Sequence, residues 1–293
     1  MHTLILGLLL LVILGFLSPM VQGRMQAELQ ARPTLLFVVP AALTLFFCAL
    51  AIANGVFSIP LALLVLVYTC APSLAAFAQG SQLVKRPSWL DFAIILMLWL
   101  PLEFSAGAHL IPKPAQGFLH SVAYGMAILL ALAIFLGFRA LPGMRYRVPA
   151  ARDLLYGVAG FLVTAPVLIV VGRLLDFIPP FHPPAHPYAG RIGMTFLLIF
   201  AGTALPEEIL FRSLIQNWLM QRYGSTSRTL LVSGLIFGCA HLDNGPQPLP
   251  NWRYMILATI AGIAYGKVFQ KSSSVFSSVT FHALTDAAKH VFF

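Results

Sequence analysis

Glu207 and Glu208 stand side by side in "TALPEEILFRSLIQNW" (203–218), and Arg212 follows the second by four residues. His241 closes "FGCAH" (237–241), while His282 and Asp286 bracket "HALTD" (282–286), with His290 four residues further on. These side chains suit hydrolysis. A carboxylate can take a proton from water, a histidine can share that task, and a second histidine can stabilise an oxyanion. The same set of Glu, His, His and Asp also suits zinc, with Glu207 or Asp286 as the oxygen ligand.

The spacing distributes the roles. Glu208 and Arg212 are i, i+4, on one face of a helix and in the order that favours an ion pair. Glu207 is turned about 100° away from Glu208 at about 3.6 residues per turn. Glu208 and Arg212 can therefore neutralise each other, which spares Glu207 for a reaction. Pro206 removes a hydrogen bond to the carbonyl four residues back and predicts a bend beside Glu207. His282, Asp286 and His290 share one helix face, so the carboxylate of Asp286 can orient the imidazole of His282. Each feature alone has a plainer account: an interfacial histidine at 241, or a polar helix face meeting water around Lys289 and His290.

The elements that must carry these residues are membrane helices. Of 293 residues, 59% are hydrophobic and 9% charged, against about 25% charged in ordinary soluble domains. Apolar runs near the length of a bilayer crossing recur throughout. Backbone polar groups in lipid must be satisfied internally, and the runs do not alternate, so the expectation is an all-α polytopic bundle. We place about ten spans, within a range of eight to ten, at 3–22, 34–54, 57–79, 88–108, 118–138, 153–177, 192–221, 229–242, 254–270 and 274–292. One membrane domain is the simplest account. Its chemistry concentrates in 151–293, and 1–150 supplies transmembrane helices of unassigned role. A charge at mid-membrane costs roughly 2.5–3.5 kcal/mol on insertion scales, so intramembrane Glu207, Glu208 and Asp286 should face the protein interior or a wet cavity.

The net charge of +9 does not imply nucleic acid, because the basic residues sit mainly between apolar runs, where they set topology. Twelve lie in odd-numbered connections and five in even ones or the tail, with Arg212 the eighteenth. That bias puts the odd connections in the cytoplasm and the amino terminus outside. The first run lacks a Lys or Arg before it, and we read it as a retained span rather than a cleaved signal. Localisation is then multi-pass in a membrane, the cytoplasmic (inner) one if the source is bacterial. Cys48, Cys70 and Cys239 lie in apolar runs without CxxC spacing and read as core residues. The proline-dense connection 176–191 reads as a stiff external loop, and its His182 and His186 lack the carboxylate or cysteine company of a metal site. Ala258, Gly262 and Gly266 form an i, i+4, i+8 row suited to close helix approach.

The three motifs "EEILFR" (207–212), "FGCAH" (237–241) and "HALTD" (282–286) resemble the EExxxR, FxxxH and HxxxN/D marks of the CAAX prenyl protease and bacteriocin-processing (CPBP, Abi) family of intramembrane proteases. The resemblance covers roughly 190 to 290. It implies that Glu207 activates water with help from His241, that His282 and Asp286 correspond to the oxyanion-stabilising pair, and that Glu208, Arg212 and Phe237 support the site. The family often has Asn at the position of Asp286. An ionised Asp cannot donate to an oxyanion, so Asp286 is assigned to orienting His282. The resemblance implies a glutamate protease with no required cofactor, and HExxH is absent. The substrate would be a peptide or protein, membrane-anchored or lipidated, met at the bilayer. Three other readings stay open: a zinc-dependent membrane hydrolase, a non-catalytic binding or immunity protein, and a transporter with Glu207 as proton relay.

Overall fold

The computed structural model describes residues 1–81, 86–182, 189–245 and 248–293. Among them the regular structure is helical throughout, as lipid solvation of the backbone demands. Lys85 and His186 lie outside the described residues. The helices are α1 (His2–Gly15), α2 (Pro19–Ala31), α3 (Pro33–Ala53), α4 (Ile59–Gln79), α5 (Trp89–Glu103), α6 (Lys113–Phe138), α7 (Ala151–Leu174), α8 (Gly190–Tyr223), α9 (Ser227–Cys239), α10 (Trp252–Lys271) and α11 (Phe276–Phe292). Five of them, α3, α4, α6, α7 and α8, are long and apolar enough to cross a membrane, and a sixth crossing results if α1 and α2 count as one bent span. Helices α5, α9, α10 and α11 occupy other apolar runs, so this count is compatible with the expected ten.

The first predicted span differs from the expectation. The run 3–22 is broken: α1 and α2 meet at 80°, and Pro19 opens α2 at a helix start, where its missing N–H costs nothing. The cysteines also differ. Cys48 and Cys70 are half-buried and Cys239 is exposed. Cys239 shares α9 with exposed Leu231 and Leu235, a face suited to lipid rather than core. Helix α7 makes the same point more strongly. Its most apolar 18-residue window has a mean hydropathy of 2.4, yet only 11% of that window is buried. An apolar surface this large would aggregate in water and is at home in hydrocarbon.

The chain divides into two compact units, Met1–Gly143 and Met144–Phe293. In the first, α3 packs on α4 and α6, α4 on α5, and α1 on α6. Its buried ion pair joins Arg139 to Asp91 through two bonds of 3.0 and 3.2 Å. Arg139 Nη1 also donates to the Gly80 carbonyl at 2.7 Å, and Asp91 accepts the Ser88 backbone N–H at 2.7 Å.

In the second unit, α7 packs on α10 and α11, α9 on α10, and α8 on α11. The turn between α10 and α11 is moored from the amino-terminal side. Asp153 accepts the Ser273 N–H at 2.7 Å and its hydroxyl at 2.8 Å. Arg145 donates to the carbonyls of Phe269 and Ser272. Those bonds fix where α11 starts, and hence where His282 and Asp286 come to lie.

Candidate active site

Helix α8 runs through Pro206 without a break, and the predicted bend takes another form. The α-helical Leu205–Glu208 lies between π-helical turns at Phe200–Ala204 and Ile209–Gln216. Wide turns of this kind absorb a missing hydrogen bond and are frequent at functional sites. Below the proline, Glu208, Arg212 and Gln216 form a fully buried polar column. Arg212 Nε donates to Glu208 Oε2 at 3.0 Å, and Nη1 donates to Gln216 Oε1 at 3.2 Å and to the Ser233 hydroxyl of α9 at 3.3 Å. Gln216 in turn donates to the Gly266 carbonyl of α10 at 2.9 Å. Gly266 makes this possible: a Cβ there would stand 2.5 Å from Gln216 Oε1. The small-residue row on α10 thus admits a polar side chain as well as a close helix.

Glu207 and Asp286 keep 28% and 31% of their side chains accessible, whereas Glu208 keeps none. All three carboxylates converge on His282. Its Nδ1 is 3.1 Å from Glu208 Oε1, and its Nε2 is 3.4 Å from Asp286 Oδ2 and 4.0 Å from Glu207 Oε2. Both ring nitrogens face carboxylate oxygens, so the ring donates in both directions as an imidazolium. It also stacks on Tyr265, centroids 4.9 Å apart and planes at 20°, and stands edge-on to Phe237 at 5.8 Å.

His241 lies just past the end of α9. Its Nδ1 donates to the Phe237 carbonyl at 2.8 Å, which leaves Nε2 as the acceptor of a neutral ring. Phe237 is the common wall. Its ring is 4.7 Å from that of His241, and the Arg212 guanidinium lies 5.0 Å over it. Gly238 lets α9 come this close to α10, since a Cβ would meet the Met255 carbonyl at 2.7 Å and the Thr259 hydroxyl.

The two histidines open onto one cavity of about 90 Å³, lined by His241, His282, Asp286, Tyr254, Tyr265, Lys289 and a mostly apolar remainder from α7, α10 and α11. Glu207 is outside that lining and joins the group through its approach to His282. Lys289 Nζ sits 4.4 Å over the Phe177 ring and 4.9 Å over the Tyr254 ring.

The three motifs therefore meet in space. His290 is exposed and takes no part. His182 is also exposed, with Nδ1 2.8 Å from the Pro180 carbonyl. Sequence reasoning missed Gln216, Ser233, Tyr254, Tyr265 and Lys289. Gln216 was findable, as the next i, i+4 step after Glu208 and Arg212. The tyrosines carried no signal, because an aromatic in an apolar run looks like core. Among the described residues no group of three or more His, Cys, Asp or Glu is arranged to hold a metal ion.

No curated protein and no solved structure matches the chain. Residues 190–288 match the family model described as Rce1-like, type II CAAX prenyl endopeptidase. The segment that holds all three motifs thus matches the family those motifs resemble, the CAAX prenyl endopeptidases.

Proposed function

We propose that the chain is an intramembrane endopeptidase of the CAAX type, with Glu207 as the base that activates water. The observation that carries this reading is the convergence of Glu207, Glu208 and Asp286 on His282, with Arg212 neutralising the innermost carboxylate. Glu207 takes a proton from a water molecule, and the resulting hydroxide attacks the scissile carbonyl carbon. His241 shares the proton through its Nε2. The peptide C–N bond then breaks, and the proton passes to the leaving amine. His282 carries positive charge beside the developing oxyanion, and Asp286 and Glu208 hold its ring in place. Glu208 and Arg212 support the arrangement and do not touch substrate, and Phe237 supports it as a wall of the cavity.

This chemistry draws its nucleophile from water activated by Glu207, with no metal ion in the proposed step. A zinc-dependent hydrolase would instead lose activity on chelation and regain it with added zinc. The substrate is a peptide or protein presented at the bilayer, membrane-anchored or lipidated, and the protein acts where it is embedded. The mostly apolar cavity beside His241 suits such a chain. The division of labour is also proposed: the carboxyl-terminal unit performs the reaction, and the amino-terminal helices have no assigned part in it.

The test is terminal proteomics on membranes of the native host, comparing wild type with Glu207→Gln at matched expression. Accumulation of a defined precursor, with loss of its cleaved product, is expected. Identical profiles would contradict the proposal and favour a non-catalytic binding role.

A further inference from the structure

A tetrahedral intermediate needs hydrogen-bond donors aimed at its oxyanion, in place before the reaction begins. The motif residues supply few. Ionised Asp286 only accepts, and the two N–H groups of His282 face Glu208 and Asp286. Among the other polar groups lining the cavity, the Thr285 hydroxyl donates to the Phe281 carbonyl at 3.1 Å. Tyr265 is fully buried against His282 and engages Thr285.

Tyr254 stands differently. Its hydroxyl has no hydrogen-bond partner among the described residues, and it lies within electrostatic reach of both Asp286 and Glu207. Its ring meets His241 edge-on at 4.6 Å and Phe177 at 4.9 Å. The backbone is fixed to the same loop as His241. Asn251 accepts the Tyr254 N–H at 3.1 Å, donates to the Asn244 carbonyl at 2.8 Å, and gives its own N–H to the Leu242 carbonyl at 2.6 Å. The Lys289 ammonium lies 4.9 Å over the ring and helps to hold it in place.

Resting on the protease reading above, we infer that Tyr254 is a further catalytic residue, whose hydroxyl donates to the oxyanion of the tetrahedral intermediate. It takes the place that a donating amide at position 286 would have filled. No proton is transferred in this role: the hydroxyl keeps its hydrogen, and the bond strengthens as the carbonyl oxygen gains charge.

The experiment uses the purified full chain in proteoliposomes, with an internally quenched peptide carrying a prenylated cysteine as probe. Tyr254→Phe removes only the hydroxyl and keeps the contacts of the ring with His241, Phe177 and Lys289. Loss of one oxyanion donor is expected to lower kcat on the order of 100-fold, with KM and the thermal midpoint unchanged. Retention of kcat within about threefold would overturn the inference. So would a fall in kcat accompanied by an equal loss of thermal stability, which would mark Tyr254 as structural. Glu207→Gln serves as the control for the underlying reading. If wild type and Glu207→Gln turn over the probe equally, the protease reading fails, and the role of Tyr254 falls with it.

Discussion

His282 Nδ1 lies 3.1 Å from Glu208 Oε1, although 74 positions separate the two residues in the chain. This bond joins the last motif to the first. The same Glu208 carboxylate holds Arg212 on its other oxygen at 3.0 Å, so one buried acid serves two cations. The two adjacent glutamates thus differ in their surroundings: the Glu208 side chain is fully buried, and that of Glu207 is 28% accessible.

Removing Arg212 leaves Glu208 Oε2 without its cation, and His282 on Oε1 becomes the cation that remains. Arg212→Met is expected to destabilise the protein by about 3–5 kcal/mol, the range for breaking a buried ion pair. Thermal unfolding in detergent would register it as a lowered midpoint. The double variant Glu208→Gln/Arg212→Met should recover part of the loss, because the buried carboxylate goes with the guanidinium and His282 keeps Asp286 at 3.4 Å.

Gly238→Ala should separate α9 from α10, since the added methyl meets a backbone carbonyl that has no room to yield. Overpacking of this kind costs about 1–3 kcal/mol, and His241, three residues on, should lose its position. Reduced cleavage and a lowered midpoint are expected together. Gly202→Ala on α8 is the contrast: nothing lies within 4 Å of its Cβ, and the variant should behave as wild type.

Phe237→Ala removes the wall shared by His241, His282 and the Arg212 guanidinium. A stability loss of about 3–5 kcal/mol is expected for a buried ring. Phe237→Tyr keeps the ring in place, so a large difference in cleavage between the two variants would separate wall from bystander. Equal activity in both would remove Phe237 from the account.

In the amino-terminal unit, Asp91→Asn leaves buried Arg139 without its carboxylate. A loss of about 3–5 kcal/mol is expected from the same physics. Limited proteolysis of residues 1–143 checks it, with faster cutting in the variant.

Much of this site could be read from spacing. The i, i+4 rule gives Glu208 with Arg212 and His282 with Asp286, because both pairs are set within one helix. Deficit of charge in the rest of the chain makes each intramembrane acid conspicuous. The contact between His282 and Glu208 was not legible, since periodicity orders residues on a helix and says nothing of which faces meet. The π-helical turns around Pro206 were hidden for a related reason: a proline announces a lost hydrogen bond, and tertiary contacts decide whether the helix bends or widens. Pro19 shows the other outcome, with α1 and α2 turned 80° apart. Tyr254 looks like core in the sequence, and only its neighbours His241 and Lys289 distinguish it.

The central claim is that Glu207 activates the attacking water. Its most direct test is the turnover of a prenylated peptide by purified protein in proteoliposomes, comparing wild type with Glu207→Gln. Glutamine keeps the shape and cannot accept the proton. The account predicts a fall of about 10²–10⁴-fold in kcat, the range for general-base catalysis, with an unchanged thermal midpoint. Turnover by Glu207→Gln at the wild-type rate would contradict it.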